Sequence, residues 1–144
     1  MDQTSFSCVV DTSDPCCKLG IEIWLDDDKI FDLDHVVEPV NITHGFSDQE
    51  NTHELRFVLK NKQQEHTKID ADGNIISDAR LSIKNVALEE IELEHTFISQ
   101  ATYNHDFNGT GPSTQEQFFG EMGCNGTVSF KFSTPAYHWL LENI

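Results

Sequence analysis

The chain has 144 residues, of which 25 are acidic and 9 are basic, so its formal net charge is -16. This balance speaks against binding a nucleic acid, because affinity for the phosphate backbone comes from lysine and arginine. The mean hydropathy is -0.42, and no apolar run approaches the roughly 20 residues of a membrane-spanning helix. We therefore expect a single soluble domain over residues 1–144 with no membrane partner.

The N-terminus, MDQTSFSCVV, has neither the basic start nor the apolar core of a secretory signal. We therefore expect synthesis in a cytoplasm without secretion by a signal peptide. The cysteines are then expected to be free thiols, and their spacing matches no zinc motif. They are Cys8, Cys16, Cys17 and Cys124.

Apolar residues alternate with polar ones through most of the chain, which is typical of half-buried β-strands. In LGIEIWL, Leu19 to Leu25 alternate, with Glu22 and Trp24 on the other face. The same pattern recurs in VNITH, ELRFVLK, RLSIKNV, EIELE and TVSFKFS. Turn residues separate these segments: DDDK follows the first of them, and ADGN contains Asp72-Gly73, a strong hairpin signal. The fold class expected is all-β, an antiparallel sandwich resembling a jelly roll.

Residues 104–126 break the alternation and hold five of the eight glycines. A loop of this length in a compact domain is usually functional or ordered by a partner. Phe118 and Phe119 within it are therefore candidate anchors for a partner, although packing against their own domain also fits the pattern.

The C-terminal segment, residues 134–144, predicts a short helix. Thr134 is a suitable cap and Pro135 suits a first helical position. An apolar stripe follows at helical spacing. Such a helix is marginal alone, so it either closes one end of its own sandwich or docks on a neighbouring subunit. The candidate interface residues are Tyr137, Trp139, Leu140, Leu141 and Ile144.

Four oxygen-bearing side chains crowd around Gly73, and calcium binds oxygen ligands. They are Asp70, Asp72, Asn74 and Asp78. The glycine comes two positions too early for an EF-hand, and position 12 is Leu81 instead of glutamate. Two interpretations stay open: a plain hairpin turn, or a partial calcium site.

Glu90, Glu92 and Glu94 alternate, so on a strand they would project from one face. The pattern is similar to the acidic strand of laminarinase-type glycosidases, but that family has aspartate where Glu92 stands. Retaining glycosidases need carboxyl groups about 5–5.5 Å apart, and Glu90 with Glu94 is the third hypothesis for this chain. No nucleophile motif and no local histidine pair accompanies them. We therefore expect no enzymatic activity and no catalytic residues.

The stretches HELRFVLKN and SDARLSIKNVALEEIEL resemble calcium-dependent xylan-binding modules and, more broadly, jelly-roll carbohydrate-binding domains. That resemblance implies a loop-borne calcium ion as cofactor, with Asp78 at the position of a ligand. Sugar sites need exposed aromatic platforms, for which Trp24 is the first candidate and Tyr103 the second.

The chain is also similar over most of its length to small uncharacterised proteins of marine cyanophages. The similarity lies in HELRFVLKNK, in IDADGNI with DARLSIKNV, and in GEMGCNGTVSFKF with WLLENI. This resemblance implies a structural or accessory protein located in the virion, such as a decoration, tail or baseplate component. Its expected partners are other virion proteins or further copies of itself, and the alternative function is binding of a host-surface glycan.

Overall fold

Two antiparallel sheets face each other across an apolar core, which confirms the all-β sandwich with a short C-terminal helix. The computed structural model describes residues 3–47, 51–89, 91–107, 109 and 111–143. The elements are β1 (Gln3–Thr12), β2 (Gly20–Leu25), β3 (Asp28–Leu33), β4 (Val40–Ser47), β5 (Asn51–Lys60), a 3₁₀ turn (Gln64–His66), β6 (Thr67–Ile69), β7 (Ile75–Asp78), β8 (Leu81–Leu88), β9 (Ile91–Glu92), α1 (Glu94–Gln100), β10 (Thr102–His105), β11 (Thr114–Gln117), β12 (Glu121–Met122), β13 (Gly126–Thr134) and α2 (Ala136–Asn143).

One sheet has the strand order β11-β10-β13-β5-β2-β3, and the other has the order β12-β8-β1-β4. The short strand β9 pairs with β8 near Leu88, whereas β12 pairs with the opposite end of β8 near Leu81. Strands β6 and β7 pair with each other and, within the described residues, belong to neither of the two main sheets, so they form a separate hairpin. The sandwich therefore has two distinct ends, and the hairpin follows directly into one of them.

The predicted alternation places the apolar side chains of the strands in the core. Leu19, Ile21 and Ile23 are fully buried, as are Leu55 and Phe57. Val128 and Phe130 are also buried, with Phe132 beside them. A period of two residues puts every second side chain on one face, so local sequence is enough to define these strands.

Strand β1 is not among the predicted strands, although it lies inside the five-stranded sheet. It pairs with β4 on one side and β8 on the other. Its inward residues, Phe6, Cys8 and Val10, alternate in the same way as those of the predicted strands.

Helix α1 corrects the prediction that EIELE is a strand with three alternating glutamates. Strand β9 ends at Glu92, and the helix begins at Glu94. Leu93 is buried between them, and its backbone N–H donates to Val86 O at 2.9 Å. Glu92 and Glu94 therefore do not project from one strand, and the third residue, Glu90, lies outside the described residues.

Residues 104–126 are not one long loop, contrary to the prediction. Strand β10 ends at His105, the short strands β11 and β12 lie within the segment, and β13 begins at Gly126. Gly126 is required for this path, since a Cβ atom there would lie 2.3 Å from Asn104 O. The absence of apolar alternation concealed these strands, because β11 is mostly exposed and cannot show a buried face.

Candidate functional site

The tip of the β6–β7 hairpin is the tight turn that Asp72-Gly73 predicted. Gly73 has a φ of 85°, which favours glycine. The Asp70 carboxylate accepts hydrogen bonds from the backbone N–H groups of Asp72 and Asn74, both at 2.9 Å. These bonds, above all the one from Asn74, hold the pKa of Asp70 below its usual range. The Asp70 carboxylate thus has a structural role in the turn.

Asp78 lies at the other end of the same hairpin, where it pairs with Thr67. Strand rise places it on the order of 13 Å from Asn74. The four predicted calcium ligands are therefore not brought together around one point. Among the residues that the structure describes, no group of three or more histidine, cysteine or acidic side chains could hold a metal ion.

The partner of Asp78 is Lys62, whose side chain is fully buried. The Lys62 ammonium donates to Asp78 Oδ1 at 2.6 Å, to Gly123 O at 2.9 Å and to Ala79 O. Thr67 Oγ1 donates to the same carboxylate oxygen at 2.6 Å. A lysine ammonium thus sits among oxygens in the region where the resemblance to xylan-binding modules implied calcium.

The sequence does not predict this role of Lys62, because nothing in LKNKQQ distinguishes a buried lysine from an exposed one. Its three acceptors come from the end of the hairpin and from the approach to β13, far apart in the sequence. The backbone N–H of Lys62 also donates to Asn125 Oδ1 at 2.9 Å. Lys62 therefore joins the hairpin to the body of the sandwich.

The two candidate sugar platforms have different environments. Trp24 lies on the outer face of the six-stranded sheet and is half-buried, with its indole N–H donating to Glu22 Oε1 at 3.1 Å. Tyr103 is buried, with its hydroxyl bonded to the backbone of Cys124. Burial also raises the pKa of Tyr103. The prediction of Tyr103 as an exposed platform is therefore wrong, and Trp24 alone fits that role.

The outer face around Trp24 is polar and ordered across all six strands. The register aligns two rows of side chains, and directly paired residues share a face. One row is Gln117, Thr102, Ser129, Arg56, Trp24 and Lys29, and the other is Gln115, Asn104, Thr127, Val58, Glu22 and Asp32. Amide, hydroxyl and charged groups thus surround one aromatic ring on a broad sheet face.

Cations flank the Trp24 ring on this face. The guanidinium of Arg56 lies 5.5 Å from the ring centroid, and the Lys29 ammonium lies 5.9 Å from it. Lys60 bonds to Asp32, Asp34 and Glu22, which holds the adjoining charges in place. Such pairing fixes the positions of the groups that a polar ligand would meet.

A second feature lies at the end of the sandwich formed by β9, α1 and α2. Helix α2 packs on its own domain, with Leu140 buried and the Trp139 ring 5.6 Å from that of Phe130. Tyr137 and Leu141 stay 56% and 58% exposed. We call the depression beside them the end cleft; its lining residues are Ile91, Glu92, Leu93, Thr96, Tyr137, Leu140 and Leu141.

The candidate interface residues thus divide into buried and exposed ones. Phe118 is fully buried, and its ring lies 5.6 Å from that of Phe97, so its prediction as a partner anchor is wrong. Phe119 is 74% exposed. Leu140 and Trp139 face their own sheet, and Ile144 lies outside the described residues.

Two of the cysteines have opposite environments. Burial raises the pKa of the Cys8 thiol to about 12, so it stays protonated at neutral pH. Cys16 is exposed at the surface. In the described part of the chain all four cysteines are free thiols, as predicted.

The described helices are too short and too polar to cross a membrane. Comparison of the chain with protein-family models, with curated proteins and with solved structures found no match.

Proposed function

We propose that the protein is a non-enzymatic structural or accessory component of a phage virion, and that it acts by protein–protein contacts. The observation that carries this proposal is the end cleft, an apolar depression with exposed apolar side chains on its rim. The virion as its location follows from the expected resemblance of the sequence to small cyanophage proteins and is part of this proposal.

The end cleft has the properties of a binding surface. Ile91, Tyr137 and Leu141 are each between 42% and 58% exposed and surround a floor of buried Leu93 and Leu140. Clustered apolar exposure costs solvation free energy, and in soluble proteins it commonly marks an interaction site. If α2 served only to cover the end of its own domain, its apolar side chains would all be buried. Tyr137 and Leu141 are instead exposed.

The net charge of -16 is compatible with this role. Strong like charge keeps free subunits apart in solution before they assemble. A contact with another acidic subunit therefore needs a local apolar surface, which the end cleft provides.

We expect that changing Tyr137 and Leu141 together to serine prevents incorporation of the protein into particles. The change removes the exposed apolar rim and leaves Trp139 and Leu140 in the core. Incorporation is measured by mass spectrometry of purified particles assembled with the tagged variant. Deleting residues 135–144 would be a poorer test, because it also uncovers Phe130 and Phe132.

The matched control is Val37→Ser, which removes an apolar side chain of similar exposure, 52%, outside the end cleft. It should be incorporated like the unchanged protein. Normal incorporation of the Tyr137→Ser and Leu141→Ser double variant, with its fold intact, would contradict the proposal.

The outer sheet face favours glycan binding as a second candidate function. Trp24 supplies an apolar ring for stacking, and the aligned amides and hydroxyls supply hydrogen bonds. Tyr103 takes no part, because it is buried.

If the sheet face binds a glycan, Trp24→Ala should weaken binding to the best ligand on a glycan array about tenfold, which corresponds to the loss of one stacking contact. Thr43→Ala, on the exposed face of the other sheet, is the control and should bind unchanged. An array on which the unchanged protein binds no glycan, or equal binding by the Trp24 variant, would exclude this function.

A further inference from the structure

The β6–β7 hairpin carries a second exposed apolar surface, which the proposed function does not use. Ile69, Ile75 and Ile76 are 60%, 66% and 67% exposed. Ile69 and Ile75 pair directly across the two strands and therefore share a face. We call these three residues the isoleucine arm.

Among the described residues, no strand of either main sheet pairs with the hairpin that carries the isoleucine arm. Its two strands pair with each other, and an isolated two-stranded hairpin is marginal in water. Asp70 shapes its tip, and Lys62 with Asp78 anchors its base. The arm is thus held in a defined shape while its isoleucines face solvent, which is the arrangement of a protruding contact.

The isoleucine arm and the end cleft lie at opposite ends of the sandwich. Strand β8 begins at Leu81, three residues after Asp78 at the base of the hairpin. It ends at Leu88, which pairs with Ile91 on the rim of the end cleft. At strand rise these two ends of β8 are roughly 23 Å apart. The hairpin that carries the isoleucine arm thus joins the sandwich at one end, and the end cleft lies at the other.

We infer that copies of this chain associate head to tail, with the isoleucine arm of one copy bound in the end cleft of the next. This inference rests on the proposed function and names a second copy as the partner. The end cleft has a volume of about 180 Å³. A cavity of roughly 150 Å³ accepts a benzene-sized group, so the cleft has room for an isoleucine side chain.

The size of the two surfaces fits a weak but specific contact. Each exposes on the order of 300–400 Å² of apolar area, as large as the largest patch on a typical monomer. Burial of both patches removes roughly 600–800 Å² from solvent, so a polar rim has to supply the rest of the roughly 1,000–1,200 Å² at the lower limit for specific association. Because the surfaces differ, the contact is heterologous, and repeating it produces rings or filaments.

Charge gives this contact a recognisable dependence on salt. Asp70 and Asp72 lie in the turn at the tip of the hairpin, and Glu92 lies on the rim of the end cleft. Like charges therefore approach one another when two copies meet. Salt screens this repulsion, so self-association is expected to strengthen with ionic strength, whereas binding to a basic partner would weaken.

The test uses two double variants of the full chain, each with one of the two surfaces removed. Ile69→Ser with Ile75→Ser removes the isoleucine arm, and Tyr137→Ser with Leu141→Ser removes the rim of the end cleft. All four side chains are exposed, so both proteins should fold, which thermal unfolding checks. Sedimentation velocity then gives the mass at increasing concentration and at low and high salt.

We expect the unchanged protein to grow beyond its monomer mass of 16.4 kDa as concentration and salt rise. Each double variant alone should remain at the monomer mass. A 1:1 mixture of the two has one intact arm and one intact cleft, so it should form a species of twice that mass and nothing larger.

Two results would overturn the inference. One is an unchanged protein that stays monomeric at about 100 μM, where a contact of micromolar affinity would be nearly saturated. The other is an associating protein whose complementary variants do not pair. If the cleft variant is nevertheless excluded from particles, the proposed function stands with a different partner; if it is also incorporated normally, the proposed function fails too.

Discussion

Replacing Lys62 with methionine is expected to lower the free energy of unfolding by about 3 kcal/mol, since removing one member of a buried ion pair costs about 3–5 kcal/mol. The variant leaves Asp78, Gly123 O and Ala79 O without the ammonium that they share. We expect a loss of stability at the lower end of this range because the Asp78 side chain is 23% exposed and keeps its hydrogen bond from Thr67. Urea unfolding at neutral pH measures the change.

Lys68→Met is the matched control for this experiment. Lys68 lies on β6 of the same hairpin, but it is exposed. Its replacement should change the free energy of unfolding by less than about 0.5 kcal/mol. Equal stabilities of the Lys62 and Lys68 variants would show that the buried ammonium does not hold the hairpin to the body.

Replacing Phe97 with alanine is expected to cost about 4 kcal/mol, within the range of about 3–5 kcal/mol for deleting a buried phenylalanine. Its ring lies 5.7 Å from that of Phe57, 5.6 Å from that of Phe118 and 5.2 Å from that of Phe130. The side chain is 1% exposed. Deleting it opens a cavity where α1 meets the sheet. The midpoint of urea unfolding reports the loss.

Phe119→Ala is the control for Phe97→Ala. The Phe119 ring is 74% exposed, so removing it should change stability by no more than about 0.5 kcal/mol. A loss of less than 1 kcal/mol for Phe97→Ala would contradict its placement in the centre of the aromatic cluster.

These two expected effects concern the ends of the molecule where the proposed contacts lie. Lys62 supports the hairpin that carries the isoleucine arm, and Phe97 supports α1 beside the end cleft. Destabilising either residue should therefore weaken assembly indirectly. The serine variants at exposed positions are the cleaner test of binding, because they leave both supports in place.

Much of the fold could be predicted because alternation is a local property. LGIEIWL, ELRFVLK and TVSFKFS each contain their own evidence for a strand with one buried face. Asp72-Gly73 is similarly local, since the turn depends on the backbone freedom of one glycine. The apolar spacing of residues 137–141 predicted α2 for the same reason.

Helix α1 and the burial of the candidate partner residues could not be predicted from the sequence. EIELEH alternates like a strand, yet Leu93 and Phe97 are both buried because they lie one helical turn apart. Phe118 and Phe119 are adjacent and identical in type, and only the packing of Phe97 and Tyr103 around Phe118 decides which one is buried.

Local sequence is enough to establish the sandwich class, the strands β2, β4, β5, β8 and β13, the hairpin turn and the C-terminal helix, because each depends on a repeat or turn within a few residues. The partners of Asp78, the burial of Tyr103 and the positions of the two apolar surfaces at opposite ends follow from the three-dimensional packing. The physical reason is that these depend on contacts between residues far apart in the chain. IDADGNIISDARL contains a feature of each type. Its turn depends on neighbouring residues, whereas the role of Asp78 depends on its contact with Lys62.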